Sequence, residues 1–468
     1  MRNPRFVSPE AIAEGRAAAS RLREALKGRP LHYYIESYGC QMNDHDSEKL
    51  AGMLAAIGYQ KAATKQDADL ILFNTCCVRE HAEKRVFGNV GALKKQKDEN
   101  PNLLVAVCGC MMQQAEVAEK LYKRFPFVDL VFGTNELHRF PFLLEEALAG
   151  RRVFAVSQGE GEIAEGLPAL RESGFSTNVT IMYGCDNFCT YCIVPYVRGR
   201  ERSRTSESIV QEVRELAQVG YKEITLLGQN VNSYRGDGGE VDFPELLRKV
   251  HEVEGIARIR FMTSHPKDLS PRLIDAMAEL PKVCEHIHLP VQSGSSRILA
   301  AMNRKYTRED YLALVTALRQ KVPAIEITTD IIVGFPGESE DDFQDTLSLV
   351  REAGFSAAYT FMYSPRRGTA AARMEGQIDE AIKKERLARL NADIAASLQE
   401  QNRRFIGQEG EVLVEGFDKR GKETMAYGKL PCFKMVYFPG GEELVGSLCR
   451  VRITAAHANS LIGEQIDN

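Results

Sequence analysis

Eleven cysteines in a chain of 468 residues are too dilute for a disulfide scaffold, so closely spaced ones read as metal ligands or reactive thiols. Cys185, Cys189 and Cys192, in GCDNFCTYC, form a C-x3-C-x2-C loop directly after an apolar run. Three thiolates this close can wrap a cubic iron–sulfur cluster, and each must lose its proton to do so. No fourth Cys or His lies within the loop, whereas a structural zinc site wants four closed ligands. Three protein ligands leave one iron open to the amino and carboxylate groups of a small molecule. A zinc knuckle completed by a distant ligand is the alternative.

A second set lies further upstream. HYYIESYGC (32–40), ADLILFNTC (68–76) and LLVAVCGC (103–110) are apolar runs rich in β-branched and aromatic residues, and they read as strands. Strands alternating with helices imply a parallel sheet with crossover helices. The helix after Cys40 is expected to start on an Asn43 or Asp44 cap and to end at Gly58. Cys40, Cys76 and Cys110 then stand at the last positions of three strands. Ligands of open parallel sheets gather at the carboxyl ends of strands, so the three thiols should meet at one edge. Residues 108 and 110 share a strand face, which points Cys108 the same way one pleat earlier.

The elements that must position these thiols fall into three textures. Hydrophobic residues make up 44% and charged residues 26%, an ordinary globular balance. Length suggests about three domains. Residues 1–30 are rich in Ala and Arg, but Glu10, Glu14 and Glu24 argue against a transit peptide, so a short helical extension is expected. Residues 31–155 form the parallel α/β domain, and 156–176 a linker. From 177 to 400, strands near 178–185, 222–228, 257–264, 285–292, 325–333 and 356–363 alternate with helices. One of these helices opens on a Thr307/Asp310 capping pattern. Six such units suggest a partial (β/α)6 barrel with its active site at the strand C-termini. Residues 401–468 read as a small antiparallel β-barrel after a long charged helix. No run of about 18 apolar residues appears, and a cytoplasmic location is expected. Net charge is −4 with pI near 6.2, so any RNA contact must come from local patches.

The C-x3-C-x2-C spacing and the barrel resemble the radical S-adenosylmethionine superfamily. There the open iron binds S-adenosylmethionine and passes it an electron, yielding a 5′-deoxyadenosyl radical that removes hydrogen from an unactivated carbon. Supporting stretches sit at strand ends. By resemblance, Gln229 and Asn230 of LLGQNVN, Gln292 and Ser293 of HLPVQSGS, and Gly334 and Gly337 of DIIVGFPGE are candidate S-adenosylmethionine contacts. YGCQMN, NTCCVRE and VCGC resemble the cluster motifs of the methylthiotransferase family, over residues 32 to about 463. The resemblance implies a second [4Fe–4S] cluster on Cys40, Cys76 and Cys110, with Cys77 and Cys108 as non-ligands. Cys284, Cys432 and Cys449 have no metal-like spacing and read as small buried residues.

The family's chemistry uses two S-adenosylmethionine molecules. One donates a methyl group to a sulfur on the N-terminal cluster, and the other yields the radical that activates the substrate carbon. No side-chain catalyst is called for. ESYGCQMN and NTCCVRE look most like members acting on C2 of the prenylated adenosine beside the tRNA anticodon. A threonylcarbamoyladenosine tRNA and a ribosomal-protein aspartate are the alternatives within the family. From another class, the rival is an RNA-binding iron–sulfur sensor without turnover. Expected partners are the prenylated anticodon stem-loop, an electron donor and a sulfur source, with no membrane and a monomeric chain. Arg198, Arg200, Arg202 and Arg204 of YVRGRERSR are RNA-binding candidates, since arginine's planar fork suits phosphates and bases. A solvated charge run is the plain reading. The C-terminal barrel resembles a TRAM RNA-binding module, although from Glu400 onward it carries nine Lys/Arg against ten Asp/Glu. RNA binding there would rest on Lys419, Arg420, Lys422 and Lys429, with a structural cap as the alternative.

Overall fold

Strand formation near the N-terminus follows from segments with no solvent face. Leu70–Thr75 is buried at every position and Leu104–Gly109 at all but the first, as in parallel strands covered on both sides. The computed structural model describes residues 5–77, 82–157, 159–171, 173–420 and 423–466. Parts of two expected features, the end of NTCCVRE (78–80) and Lys422, lie outside the described residues, as does the Arg420 side chain. The first domain is a six-stranded parallel sheet in the spatial order 60–61, 32–37, 70–75, 104–109, 130–132, 153–155. Helices Pro9–Ala25, Gln41–Ile57 and Phe140–Leu148 cover one face, and Ala82–Ala92 and Ala115–Arg124 the other. The N-terminal extension is therefore part of this layer, tied down by an Arg21–Glu145 ion pair at 2.8 Å.

Three expectations need correction here. The strands end at Ser37, Thr75 and Gly109, so Cys40, Cys76 and Cys110 lie in the loops just beyond them. Cys40 itself occupies the helix N-cap, while Gly58 ends the helix in the left-handed region as expected. Asn43 does not cap; it is fully buried and ties loops together, as described below. Cys108 and Cys110 do not share a face either. Cys108 packs with Ala106 in one core, and Cys110 with Val105 and Val107 in the other. Gly109, at φ +95°, breaks the pleat between them. Its missing Cβ would lie 2.4 Å from both Asn74 Oδ1 and the Thr75 carbonyl oxygen.

The central domain is a half-open barrel of six parallel strands: Ser176–Thr180, Glu223–Leu227, Arg258–Met262, His286–His288, Glu326–Val333 and Ala357–Met362. A parallel bridge between Ile259 and Val283 joins its two three-stranded halves. Thr307 and Ser339 open helices through capping boxes with Asp310 and Asp342, satisfying first-turn N–H groups. The expected first strand is cut short: Met182–Tyr183 pairs antiparallel with Arg202–Ser203, folding residues 184–201 into a closed loop. Among the described residues no helix is long and apolar enough to cross a membrane.

Glu380–Arg403 leads into a closed five-stranded barrel, antiparallel except where Val436 and Tyr437 pair in parallel with Leu461 and Ile462. Its Leu430–Lys434 segment seals the floor of the central barrel. Arg260 donates to the Leu430 and Pro431 carbonyls at 2.9 and 2.7 Å, and Phe433 stacks on His286 with ring centroids 4.4 Å apart. This part of the domain is a structural cap. Cys284, Cys432 and Cys449 are buried.

Candidate iron–sulfur centres

The loop of Cys185, Cys189 and Cys192 is held from several sides. Cys185 N donates to Gly199 O at 3.1 Å, and Thr190 N to Met302 O at 3.1 Å. Asn303 Nδ2 bonds the carbonyls of Asn187 and Phe188 at 3.2 and 3.0 Å. Burial pushes the Cys185 and Cys192 thiols up to about 12. Thiols so reluctant to ionise become thiolates only with a bound cation to compensate. The fully buried Arg304 donates from Nη1 to Cys189 Sγ at 3.4 Å and from Nη2 to Pro290 O at 2.7 Å.

Upstream, Gly39 makes the second set possible. A Cβ there would fall 2.5 Å from Cys76 Cβ and 2.8 Å from its Sγ, so only glycine lets the Cys40 loop close on Cys76. Cys40, Cys110 and Cys185 each follow a glycine of positive φ, a shared device for turning a thiol out of a strand end. Asn43 is the hub. Its Nδ2 donates to the Tyr38 and Thr75 carbonyls at 2.9 Å each, and its Oδ1 lies 3.4 Å from Cys110 Sγ. A hydrogen bond from Cys77, with the Arg198 charge, holds Cys110 below the ordinary thiol value against the effect of burial, while Cys77 is driven well up. Of this adjacent pair, Cys110 is the one disposed to be a thiolate. Cys40 is exposed as a residue, yet the protein around its sulfur and Cys110 push it up, against Arg198.

The arginine run is where sequence reasoning failed. Arg198 is buried and leaves its own loop for the first domain. It pairs with Asp46 at 2.8 Å, bonds Asn43 Oδ1 at 2.9 Å and donates from Nε to Cys110 Sγ at 3.0 Å. Arg202 is buried against the carbonyls of Glu160, Arg200 and Arg198. Arg204 is buried between Glu165 and Glu212, at 3.0 and 2.7 Å. These three are internal ties, not RNA contacts. Arg200 alone stays exposed, stacked 4.5 Å over Phe188.

Arg198 thus bridges the two thiol sets. Ile193 and Val197, just past Cys192, pack in one core with Cys76, Cys77 and Cys110. A cleft of about 590 Å³ opens beside them, lined in part by Cys76, Cys77, Lys84, Ile193 and Arg366. Among the described residues no three Cys, His, Asp or Glu groups converge as a mononuclear metal site requires.

At the second and third strand ends, Gln229 Oε1, Asn232 Oδ1, Ser264 Oγ and His265 Nε2 are buried without a hydrogen-bond partner. Orphaned polar atoms are costly, and four at adjacent strand ends fit a polar small molecule. Gln229, a candidate contact from the sequence, is one of the four. Asn230 is not: its side chain is used internally, donating to Asp268 at 2.7 Å and accepting from His265 N at 3.1 Å. Ser293 is likewise engaged, beside Thr346 and accepting from Ser295 N. Gln292 joins its strand to Asp330 and Ile332 through its backbone. Gly334 gives its N–H to Glu338 at 2.7 Å and abuts Lys383, whereas Gly337 borders open space. Ser264, His265, Arg304 and Asp46 carried no local signal, and neither the cap reading of Asn43 nor the place of Asn232 in LLGQNVN pointed to these roles, which arise from contacts far away in sequence.

Three family models match: the radical SAM superfamily over residues 179–350, the uncharacterised protein family UPF0004 over 32–133 and the TRAM domain over 403–466. A tRNA-2-methylthio-N(6)-dimethylallyladenosine synthase of Alkaliphilus oremlandii is 53% identical, covering 98% of both chains. The enzyme of that name from Caldicellulosiruptor saccharolyticus is 54% identical, over 94% of this chain and 93% of its own. The chain belongs to this family. It is therefore an enzyme of radical S-adenosylmethionine chemistry, a transferase whose cofactors are S-adenosylmethionine and two [4Fe–4S] clusters. In fold it is similar to the radical S-adenosylmethionine methyltransferase TsrM of Kitasatospora setae, at a TM-score of 0.54 and 14% identity over 73% of this chain and 77% of that one. The cobalamin-dependent radical enzyme OxsB gives a TM-score of 0.51 at 13% identity over 78% of this chain and 56% of that one.

Proposed function

We propose that this chain methylthiolates C2 of N6-dimethylallyladenosine beside the anticodon of tRNA. The observation that carries the reading is the pairing of two separate three-cysteine sets across one interface, with Arg198 reaching from the loop of one to a sulfur of the other. The full-length likeness to synthases named for this product supports the substrate. When bound, the cofactors supply a one-electron route to a carbon radical, a transferable sulfur and a methyl group.

The chain's own residues do the rest. Cys185, Cys189 and Cys192 hold one cluster and Cys40, Cys76 and Cys110 the other. Arg304 and Arg198 each donate to a sulfur of one set, and such hydrogen bonds tune the redox poise of cluster ligands. Gln229, Ser264 and His265 present unpaired polar atoms to S-adenosylmethionine. Burial pushes the His265 imidazole down to about 2, so it meets its ligand neutral. The Leu430–Lys434 segment closes the barrel floor and keeps water out from below. An electron donor and a sulfur source complete the partners.

Incubating the reduced, reconstituted protein with S-adenosylmethionine tests the enzyme reading. We expect 5′-deoxyadenosine and methionine; their absence would favour a non-catalytic RNA-binding sensor. Offering prenylated tRNA, threonylcarbamoylated tRNA and ribosomal protein side by side tests the substrate. Modification of either alternative alone would overturn the choice.

A further inference from the structure

The last barrel strand, Ala357–Met362, is an edge strand whose two faces differ. Thr360 turns toward the helix layer, its Oγ1 bonding Asn391 at 2.7 Å, and Ala358 and Met362 on the same face pack against the main core. Tyr359 and Phe361 occupy the opposite face, toward the lumen, and remain 48% and 49% exposed. The register sets Tyr359 beside Asp330 and Phe361 beside Ile332. The Tyr359 ring meets His288 at 5.9 Å and 67°, and His288 Nε2 lies 3.4 Å from Asp330 Oδ2. Ile332 and Tyr191, which stands between Cys189 and Cys192, both pack against the small buried cluster of Ile298, Met302 and Phe335. Two half-exposed rings, a carboxylate and an imidazole thus line the lumen wall that runs up to the C-x3-C-x2-C loop.

We propose that Tyr359 and Phe361 are specificity-determining residues, forming the platform on which the prenylated adenine stacks once it is turned out of the anticodon loop. This rests on the substrate reading above. Chemistry on a base carbon requires the base to leave its stack, and splayed bases are received by aromatic side chains. A flat purine with an apolar substituent and one N–H matches this wall. The ring of Tyr359 takes the purine, Asp330 accepts the N6–H, and Phe361 with Ile332 meets the prenyl group. A peptide substrate would leave such a platform without a planar partner.

The test uses reconstituted full-length protein with S-adenosylmethionine. Wild type, Tyr359→Ala, Tyr359→Phe and Phe361→Ala are titrated with anticodon stem-loops carrying prenylated adenine, plain adenine or an abasic site at one position. Stacking measured by alanine substitution is worth about 1–3 kcal/mol per base, so wild type should prefer the prenylated to the abasic loop by about tenfold. Tyr359→Ala should lose most of that preference while binding the abasic loop as wild type does, and Tyr359→Phe should recover it. Phe361→Ala should narrow the gap between prenylated and plain loops. The platform is overturned if the alanine variants keep the full preference, or if they weaken the abasic loop by the same factor. If wild type shows no preference among the three loops, the substrate reading fails and the platform with it.

Discussion

Arg198 and Asp46 are each about 7% exposed in their side chains and lie 2.8 Å apart. Removing the guanidinium alone strands a buried carboxylate, which typically costs about 3–5 kcal/mol. Arg198→Met should therefore lower the thermal unfolding midpoint markedly, and adding Asp46→Asn should recover part of the loss. A second residue sets a pH dependence. Burial pushes His265 down to about 2, helped by Arg304 and Lys267, against about 6.5 in an unfolded chain. Its contribution is complete above the unfolded value. As pH falls from 6.5 toward 2, the unfolded chain takes up a proton that the folded one refuses, so stability declines. The slope from this one group is at most about 1.4 kcal/mol per pH unit. Urea midpoints at pH 7 and pH 5 should differ less in His265→Gln than in wild type.

At the scale of elements, the glycine turns that aim the thiols are the vulnerable parts. Gly39 sits at φ +127° with Cys76 in the space a Cβ would need. Gly39→Ala should cost the protein about four of its irons, the content of one [4Fe–4S] cluster, while circular dichroism changes little; full iron content would refute the assignment. Much of this scale is legible in local sequence. Strands such as that in ADLILFNTC announce themselves by apolar runs of β-branched and aromatic residues, and Thr307 with Asp310 by spacing. The arginines of YVRGRERSR were not legible, since a charge run looks the same whether it meets water or buried carboxylates. Arg198 finds Asp46 in another domain, and Arg204 finds Glu165 in the linker. Likewise, the left-handed Gly109 moves Cys110 off the face that strand alternation assigns to it.

For the whole molecule, three domains converge on one reaction. The first brings a thiol set to the mouth of the barrel, the barrel carries the other, and the C-terminal domain seals the floor. Replacing Cys40, Cys76 and Cys110 together with Ala should remove about four irons per chain while S-adenosylmethionine cleavage persists. Unchanged iron content would show that these thiols hold no cluster. The central claim is that both sets act on one tRNA adenosine, and mass spectrometry of tRNA nucleosides tests it most directly. After reaction of prenylated tRNA with the reduced, reconstituted protein, the account predicts a nucleoside heavier by one methylthio group in place of one hydrogen. It predicts none when either three-cysteine set is replaced. An unmodified nucleoside with the intact protein, or modification that survives loss of the N-terminal set, would contradict it.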